Sequence, residues 1–178
     1  MYTDPQVGAD NLQPFKVLIL VPLYWLVACA PAPMGDVLAD MDTAAPSNPL
    51  IVALVDLYER EGAKRAVFLS IADGATTTDS LEDLIAELSE LLSVSVLDES
   101  LADRSPRSDV PFLTPIDPAT GDLGVSLSIR EVSVSGDNHR QVKLSFARSG
   151  LDAGIYLYTL QSDGNIWRII DVALIGLS

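Results

Sequence analysis

The last third of the chain alternates apolar and polar residues with a period of two, which is typical of half-buried β-strands. Four such runs follow one another from Val125 to the end of the chain. Three groups of turn-forming residues separate them, at 135–138, 149–150 and 162–165. Because the connections are short, consecutive strands are expected to pair antiparallel as a meander. The alternation changes phase near Arg130 and Glu131, which predicts a β-bulge that curves the sheet.

Two segments before these strands instead repeat apolar residues at helical spacing. The first begins at Pro49, after Ser47 or Asn48 as its N-cap, and continues without a breaker to Gly62. The second begins after Asp79 or Ser80. Its apolar stripe consists of Leu81, Leu84, Ile85, Leu88, Leu91 and Leu92. A stripe of this width predicts a core-facing helix surface.

The two kinds of periodicity together predict an α+β domain over residues 47–178. We expect N-terminal helices to pack on one face of a curved, four-stranded antiparallel sheet. The segment between the helices contains a short apolar run, AVFLSIA, followed by a loop, ADGATTT. Residues 103–122 are polar and rich in proline, so they are interpreted as a long loop.

The stretch FKVLILVPLYWLVACAPAP, residues 15–33, has a different character. Its eleven uncharged residues from Val17 to Val27 follow Lys16, and this length is typical of the apolar region of a signal peptide. A membrane-spanning helix needs about 20 apolar residues. Pro22 lies in the middle of the run and would disrupt a buried core helix. A cleaved signal peptide therefore fits this segment best.

The residues Leu26-Val27-Ala28-Cys29 resemble the lipobox of bacterial lipoprotein signal peptides. The resemblance implies cleavage before Cys29 and attachment of lipid to its sulfur, so that 1–28 is a signal peptide. Residues 29–46, rich in Ala, Pro and Asp, are then a flexible tether. The residues before Lys16 depart from the pattern, because they include two aspartates. Ala30, by the same analogy, favours sorting to the outer membrane, with the domain facing the periplasm.

The end of the chain is similar to the nuclear-transport-factor-2-like (cystatin-like) superfamily. Many members end in a strand that reads Gly-x-Trp-x-Ile-x-Asp-Val, and Gly164, Trp167, Asp171 and Val172 lie close to that order. A narrower similarity is to small bacterial lipoproteins of this superfamily. It rests on the helix from Pro49 to Tyr58 and on Pro111, Phe112, Leu113, Asp117, Pro118 and Asp122. The resemblance implies a cone-shaped cavity between helices and sheet.

Charge and composition exclude several classes of function. The chain has 25 acidic and 11 basic residues, a formal net charge of −14, so nucleic acid is not expected as a partner. Cys29 is the only cysteine, which excludes an internal disulfide. No clustered His and Cys spacing for zinc and no Walker or dinucleotide glycine pattern occurs, so no cofactor is expected. The only histidine, His139, belongs to a predicted hairpin turn, and Asp117 and Asp122 are interpreted as turn-forming rather than calcium-binding residues.

Two functional hypotheses stay open. The first is a lipid-anchored, non-catalytic module of the bacterial cell envelope that binds a partner protein, an envelope polymer or a small ligand. The second is a small cavity enzyme of the isomerase, dehydratase or hydrolase kind. Its candidate cavity residues are Tyr156, Tyr158, Arg168 and Asp171, because these polar groups lie on strands with apolar neighbours. Whether the cavity is filled or open distinguishes the two hypotheses.

Overall fold

A computed structural model describes residues 46–62, 64–164 and 166–177. The predicted signal peptide, Cys29 and nearly all of the predicted tether lie outside these residues. The elements in chain order are α1 (Pro49–Glu61), β1 (Ala66–Ile71), α2 (Leu81–Leu91), β2 (Val96–Asp98), a 3-10 helix (Glu99–Leu101), β3 (Gly124–Val134), β4 (His139–Ser149), β5 (Asp152–Asp163) and β6 (Ile166–Leu177). Neither α-helix in the described part of the chain combines the length and the apolar character that crossing a membrane requires.

The α+β class is confirmed, but the expectation of a four-stranded antiparallel sheet is wrong. The sheet has six strands in the order β2-β1-β3-β4-β5-β6, and it is mixed. β1 runs parallel to both β2 and β3, whereas β3 to β6 are antiparallel. The parallel pairs are possible because long segments that contain α2 connect β1 to β2 and to β3. β1 shows no alternation in the sequence because Val67 and Phe68, which point to opposite faces, are both fully buried.

The predicted meander of β3 to β6 is confirmed, including its turns. The strands have 11 or 12 residues, and the hairpin connections lie between 134 and 139, between 149 and 152 and between 163 and 166, within two residues of the predicted turns. The predicted bulge is also present, as a register shift between Ile129 and Glu131 where β3 pairs with β4. Two further register shifts occur where β5 pairs with β6. These irregularities increase the local twist and bend the sheet.

The helices begin where their capping residues indicate. The side chain of Asn48 accepts a hydrogen bond from the backbone N–H of Leu50 at 2.9 Å, and Pro49 occupies the first turn. Ser80 caps α2 by accepting from the N–H of Asp83 at 3.1 Å. Acidic residues in the first turn of α2 interact favourably with its helix dipole.

The core lies between the helices and one face of the sheet, called here the covered face. Leu54 and Leu57 of α1 and Leu84 and Leu88 of α2 are at most 1% exposed. The same core cluster contains the covered-face side chains of Val67, Leu69, Val125, Leu127, Ile129, Val142, Leu144, Phe146, Tyr158 and Leu160. The protein's own side chains therefore occupy the space where a cone-shaped cavity was expected.

Candidate functional site

Two tyrosines of β5 point toward the carboxylates of α1. The hydroxyl of Tyr158 donates to Oδ2 of Asp56 at 3.0 Å, and the hydroxyl of Tyr156 donates to Oε1 of Glu61 at 2.7 Å. Period-two geometry places both tyrosines on the covered face, next to each other with ring centroids 6.2 Å apart. The carboxylates lie five positions apart along α1, so each tyrosine has its own acceptor.

Two arginines complete this arrangement, which we call the tyrosine–carboxylate network. Nε of Arg60 donates to the same oxygen of Asp56, Oδ2, that accepts from Tyr158. Arg148 of β4 lies 3.4 Å from Oε2 of Glu61 and also forms a two-point contact with Asp152 at 2.8 and 2.9 Å. Each carboxylate therefore accepts a hydrogen bond from a tyrosine hydroxyl and also forms an ion pair with an arginine.

The environment of the two tyrosines keeps their hydroxyls protonated. Burial and the neighbouring Asp56 carboxylate raise the pKa of Tyr158 far above its usual value. The hydrogen bond to Glu61, together with burial, raises the pKa of Tyr156. Neither phenol is suited to act as a general base near neutral pH, because neither ionises there. The two tyrosine–carboxylate hydrogen bonds join α1 to β5 of the sheet. In the described residues, every buried side-chain nitrogen and oxygen has a hydrogen-bond partner.

The structure does not bring the four candidate cavity residues together. Tyr156 and Tyr158 lie on the covered face, whereas Arg168 and Asp171 are exposed on β6. Their register partners on β5, Gln161 and Thr159, alternate with the fully buried Leu160. Arg168 and Asp171 therefore lie on the opposite side of the sheet, which we call the open face.

The open face contains a groove of about 770 Å³ between the first part of β3 and the strand ends near the β4–β5 turn. Small side chains form its floor, and these are Ser70, Ser126, Ser128, Ser145, Ala147 and Ala153. Because none of them is larger than serine, they leave the space above the sheet empty. Ser70 and Ser128 are partly exposed at this floor. Ser126 and Ser145 are buried, and their hydroxyls accept hydrogen bonds from Arg104 and Arg130.

Two arginines border this groove and have different roles. Arg104 has its guanidinium committed to the protein, because it donates to Glu99, to Ser126 at 2.6 Å and to the carbonyl of Leu113 at 2.8 Å. Nε of Arg130 donates to Oγ of Ser145 at 2.9 Å. Within the described residues no carboxylate oxygen lies within 4.0 Å of a side-chain nitrogen of Arg130, so this groove-lining arginine has no ion-pair partner there.

The remaining candidate residues have local roles. Asp117 is buried, and its side chain accepts from the N–H of Ala119 at 2.8 Å, as expected for a turn-forming residue. His139 is the first residue of β4, and its carbonyl accepts from Ser135 across the hairpin. Across the residues that the structure describes, no group of three or more His, Cys, Asp or Glu side chains is placed to hold a metal ion.

Sequence reasoning missed the groove serines and the α1 carboxylates. Serine alternating with apolar residues along β3 indicates an outward-facing strand surface, but it does not reveal a groove. The helical pattern of α1 does not distinguish Asp56 and Glu61 from the other charged residues of that helix. Their tyrosine partners lie about a hundred positions away in the sequence, at separations of 102 and 95 residues.

Comparison of the chain with known protein families, with curated proteins and with solved structures found no match.

Proposed function

We propose that the protein is a lipid-anchored, non-catalytic binding module of the bacterial cell envelope. In this proposal Cys29 carries the lipid at the start of a tether formed by residues 29–46, and a nuclear-transport-factor-2-like domain faces the periplasm from the outer membrane. The domain binds its ligand on the open face of the sheet. The observation that carries the proposal is the serine-lined groove there, opposite a filled core.

The filled core favours this function over the cavity enzyme. A cavity enzyme on this fold needs space between helices and sheet for substrate and for convergent polar groups. Leu54, Leu57 and Tyr158 are fully buried in that region. The hydroxyls of Tyr156 and Tyr158 already donate to carboxylates of α1, so neither is free to donate to a substrate.

The lining of the groove favours a polar ligand, because it contains serines, arginines and the acidic Asp73 and Glu99. Among envelope ligands we propose an acidic polymer that is held by Arg130. Serine hydroxyls can both donate to and accept from sugar hydroxyls and amides. The planar guanidinium of Arg130 can hold a carboxylate through two parallel hydrogen bonds. A groove that is open at the surface also accepts a long chain that enters and leaves at its ends, as a cell-wall polymer would.

Filling the groove is expected to weaken binding to the cell-wall polymer. The full-length protein, extracted from bacterial membranes, is mixed with purified peptidoglycan and sedimented. Ser128→Trp places a large ring on the groove floor, and Arg130→Ala removes the charge-assisted contact. Arg130→Ala is expected to lower the apparent affinity at least about tenfold, because hydrogen bonds to a charged group contribute about 1.5–3 kcal/mol. Ser128→Trp is expected to lower it by a similar factor, because the ring occupies the space of the ligand.

The matched control is Ala86→Trp, which adds the same ring to an exposed position of α2, away from the open face. This variant is expected to sediment with peptidoglycan as the wild type does. Binding through the groove is refuted if the wild type does not sediment with the polymer, or if all three variants sediment equally well.

A further inference from the structure

Strand β6 forms one edge of the sheet and pairs only with β5. It is 12 residues long, whereas β2, at the other edge, has only three. Along such an edge, every second residue directs its backbone N–H and C=O groups away from the sheet, where a further strand can pair with them. We propose that β6 pairs antiparallel with β6 of a second copy of this chain, which joins the two sheets.

The side chains of β6 support pairing rather than exposure to water. Natural edge strands are commonly protected by lysine, proline, inward-pointing charges, bulges or short length. β6 has bulges, but it contains no lysine and no proline. Five of the eleven exposed large hydrophobics in the described residues lie on it, namely Ile166, Ile170, Leu174, Ile175 and Leu177. A strand of this kind loses unfavourable apolar exposure when another strand covers it.

The charges of β6 indicate what the second strand is. Arg168 and Asp171 are its only charged residues, so the strand is neutral in a chain whose net charge is −14. In the described residues neither side chain lies within 4.0 Å of an opposite charge. Two copies of the chain repel each other at long range, and a neutral edge is the surface on which that repulsion is weakest.

The bulge in β6 makes this charge pair complementary to itself. Arg168 and Asp171 are three positions apart, which in a regular strand would place them on opposite faces. The register shift next to Ile169 pairs Arg168 with Gln161 and Asp171 with Thr159, so both side chains lie on the open face. The two residues flank the bulge on either side. A two-fold axis through the bulge then places Arg168 opposite Asp171 of the other copy, twice.

Directly opposed side chains in an antiparallel pair have Cβ atoms about 4.5–5.5 Å apart, a distance at which opposite charges attract and like charges repel. In the same register Trp167 lies opposite Val172 of the second copy on the other face. The apolar contact and the two ion pairs thus agree on one register. A strand from an unrelated protein would share the backbone pairing but would not supply the matching charges.

Charge reversal tests this pairing. Two differently tagged versions of the full-length chain are co-expressed in bacteria, and the fraction of one that is captured through the other is measured in detergent extracts. Arg168→Asp, introduced into both versions, places like charges opposite each other and is expected to lower co-capture about tenfold. Asp171→Arg in both versions should have the same effect. Both side chains are exposed, so the fold of each copy should be retained.

The decisive sample combines one version carrying Arg168→Asp with the other carrying Asp171→Arg. Each is expected to fail to pair with itself, but together they restore both ion pairs and wild-type co-capture. The double variant Arg168→Asp/Asp171→Arg should also pair with itself. The matched control is Lys64→Asp, a charge reversal at an exposed position between α1 and β1, which should not change co-capture.

The proposal is overturned if the wild-type versions are not captured together, if the single reversals have no effect, or if the complementary mixture stays apart. Capture of other proteins without the second copy would show that β6 has a different occupant. None of these results depends on Cys29 or on the groove, so this pairing and the proposed binding function can fail independently.

Discussion

Replacing Leu54 by alanine is expected to lower the free energy of unfolding by about 2–5 kcal/mol. The side chain of Leu54 is fully buried in the cluster between α1 and the covered face of the sheet. Removing three carbon atoms loses apolar burial and leaves a cavity that the neighbouring side chains fill only in part. A loss of this size is a large share of the 5–15 kcal/mol that is typical of a natural domain.

Urea unfolding followed by circular dichroism measures this change as a lower midpoint with an unchanged slope. The control is Glu59→Ala, which removes an exposed side chain from the same helix and should change the free energy by less than about 0.5 kcal/mol. If Leu54→Ala cost no more than this control, the region between α1 and the sheet would be loosely packed. The cavity-enzyme hypothesis would then regain support.

Above about pH 10 the domain is expected to lose stability steeply. Burial raises the pKa of Tyr58, and burial with the Asp56 carboxylate raises the pKa of Tyr158 much further. In the unfolded chain these phenols ionise near the usual value of about 10. The unfolded state therefore releases protons that the folded state retains, and the free energy of unfolding falls as pH rises.

For Tyr158 the stabilisation is fully present below about pH 10 and is lost above it, at up to about 1.4 kcal/mol per pH unit. Urea unfolding at successive pH values measures this slope. Tyr158→Phe should make it shallower, because phenylalanine has no proton to lose. At neutral pH the same variant should be less stable by about 1.5 kcal/mol, since its hydrogen bond to Asp56 is missing. An unchanged slope would show that Tyr158 is not buried beside Asp56.

The helices and the meander could be predicted because short-range signals specify them. Asn48 with Pro49 and Gly62 marks the two ends of α1, and Ser80 marks the start of α2. The hairpins follow from turn residues that lie between strands adjacent in the sequence. Each of these signals depends on residues within a few positions of one another, so it can be read without knowing the fold.

The two parallel strands could not be predicted in this way. β1 is too short for periodicity to distinguish a strand from a helical turn, and it is buried toward both faces. β2 has only three residues, and it exists as a strand because it pairs with β1, about 30 positions earlier. Non-local pairing of this kind leaves no local pattern in the sequence.

The prediction that four polar residues of β5 and β6 line one cavity was wrong for a related reason. Alternation along β5 shows that Tyr156 and Tyr158 share a face, but it does not show which face the helices cover. On β6 the bulge reverses the simple alternation, so sequence spacing alone would place Arg168 and Asp171 on opposite faces. Their common face is apparent only from the register with β5.

Metabolic labelling with radioactive palmitate tests the proposed lipid anchor most directly. The full-length chain is expressed in bacteria as the wild type and as Cys29→Ala, and each protein is isolated and its label measured. Label is expected in the wild type and not in Cys29→Ala, because Cys29 is the only cysteine to which lipid can be attached. Equal labelling of both proteins, or no label in the wild type, would contradict the proposal that the protein is anchored to the envelope through Cys29.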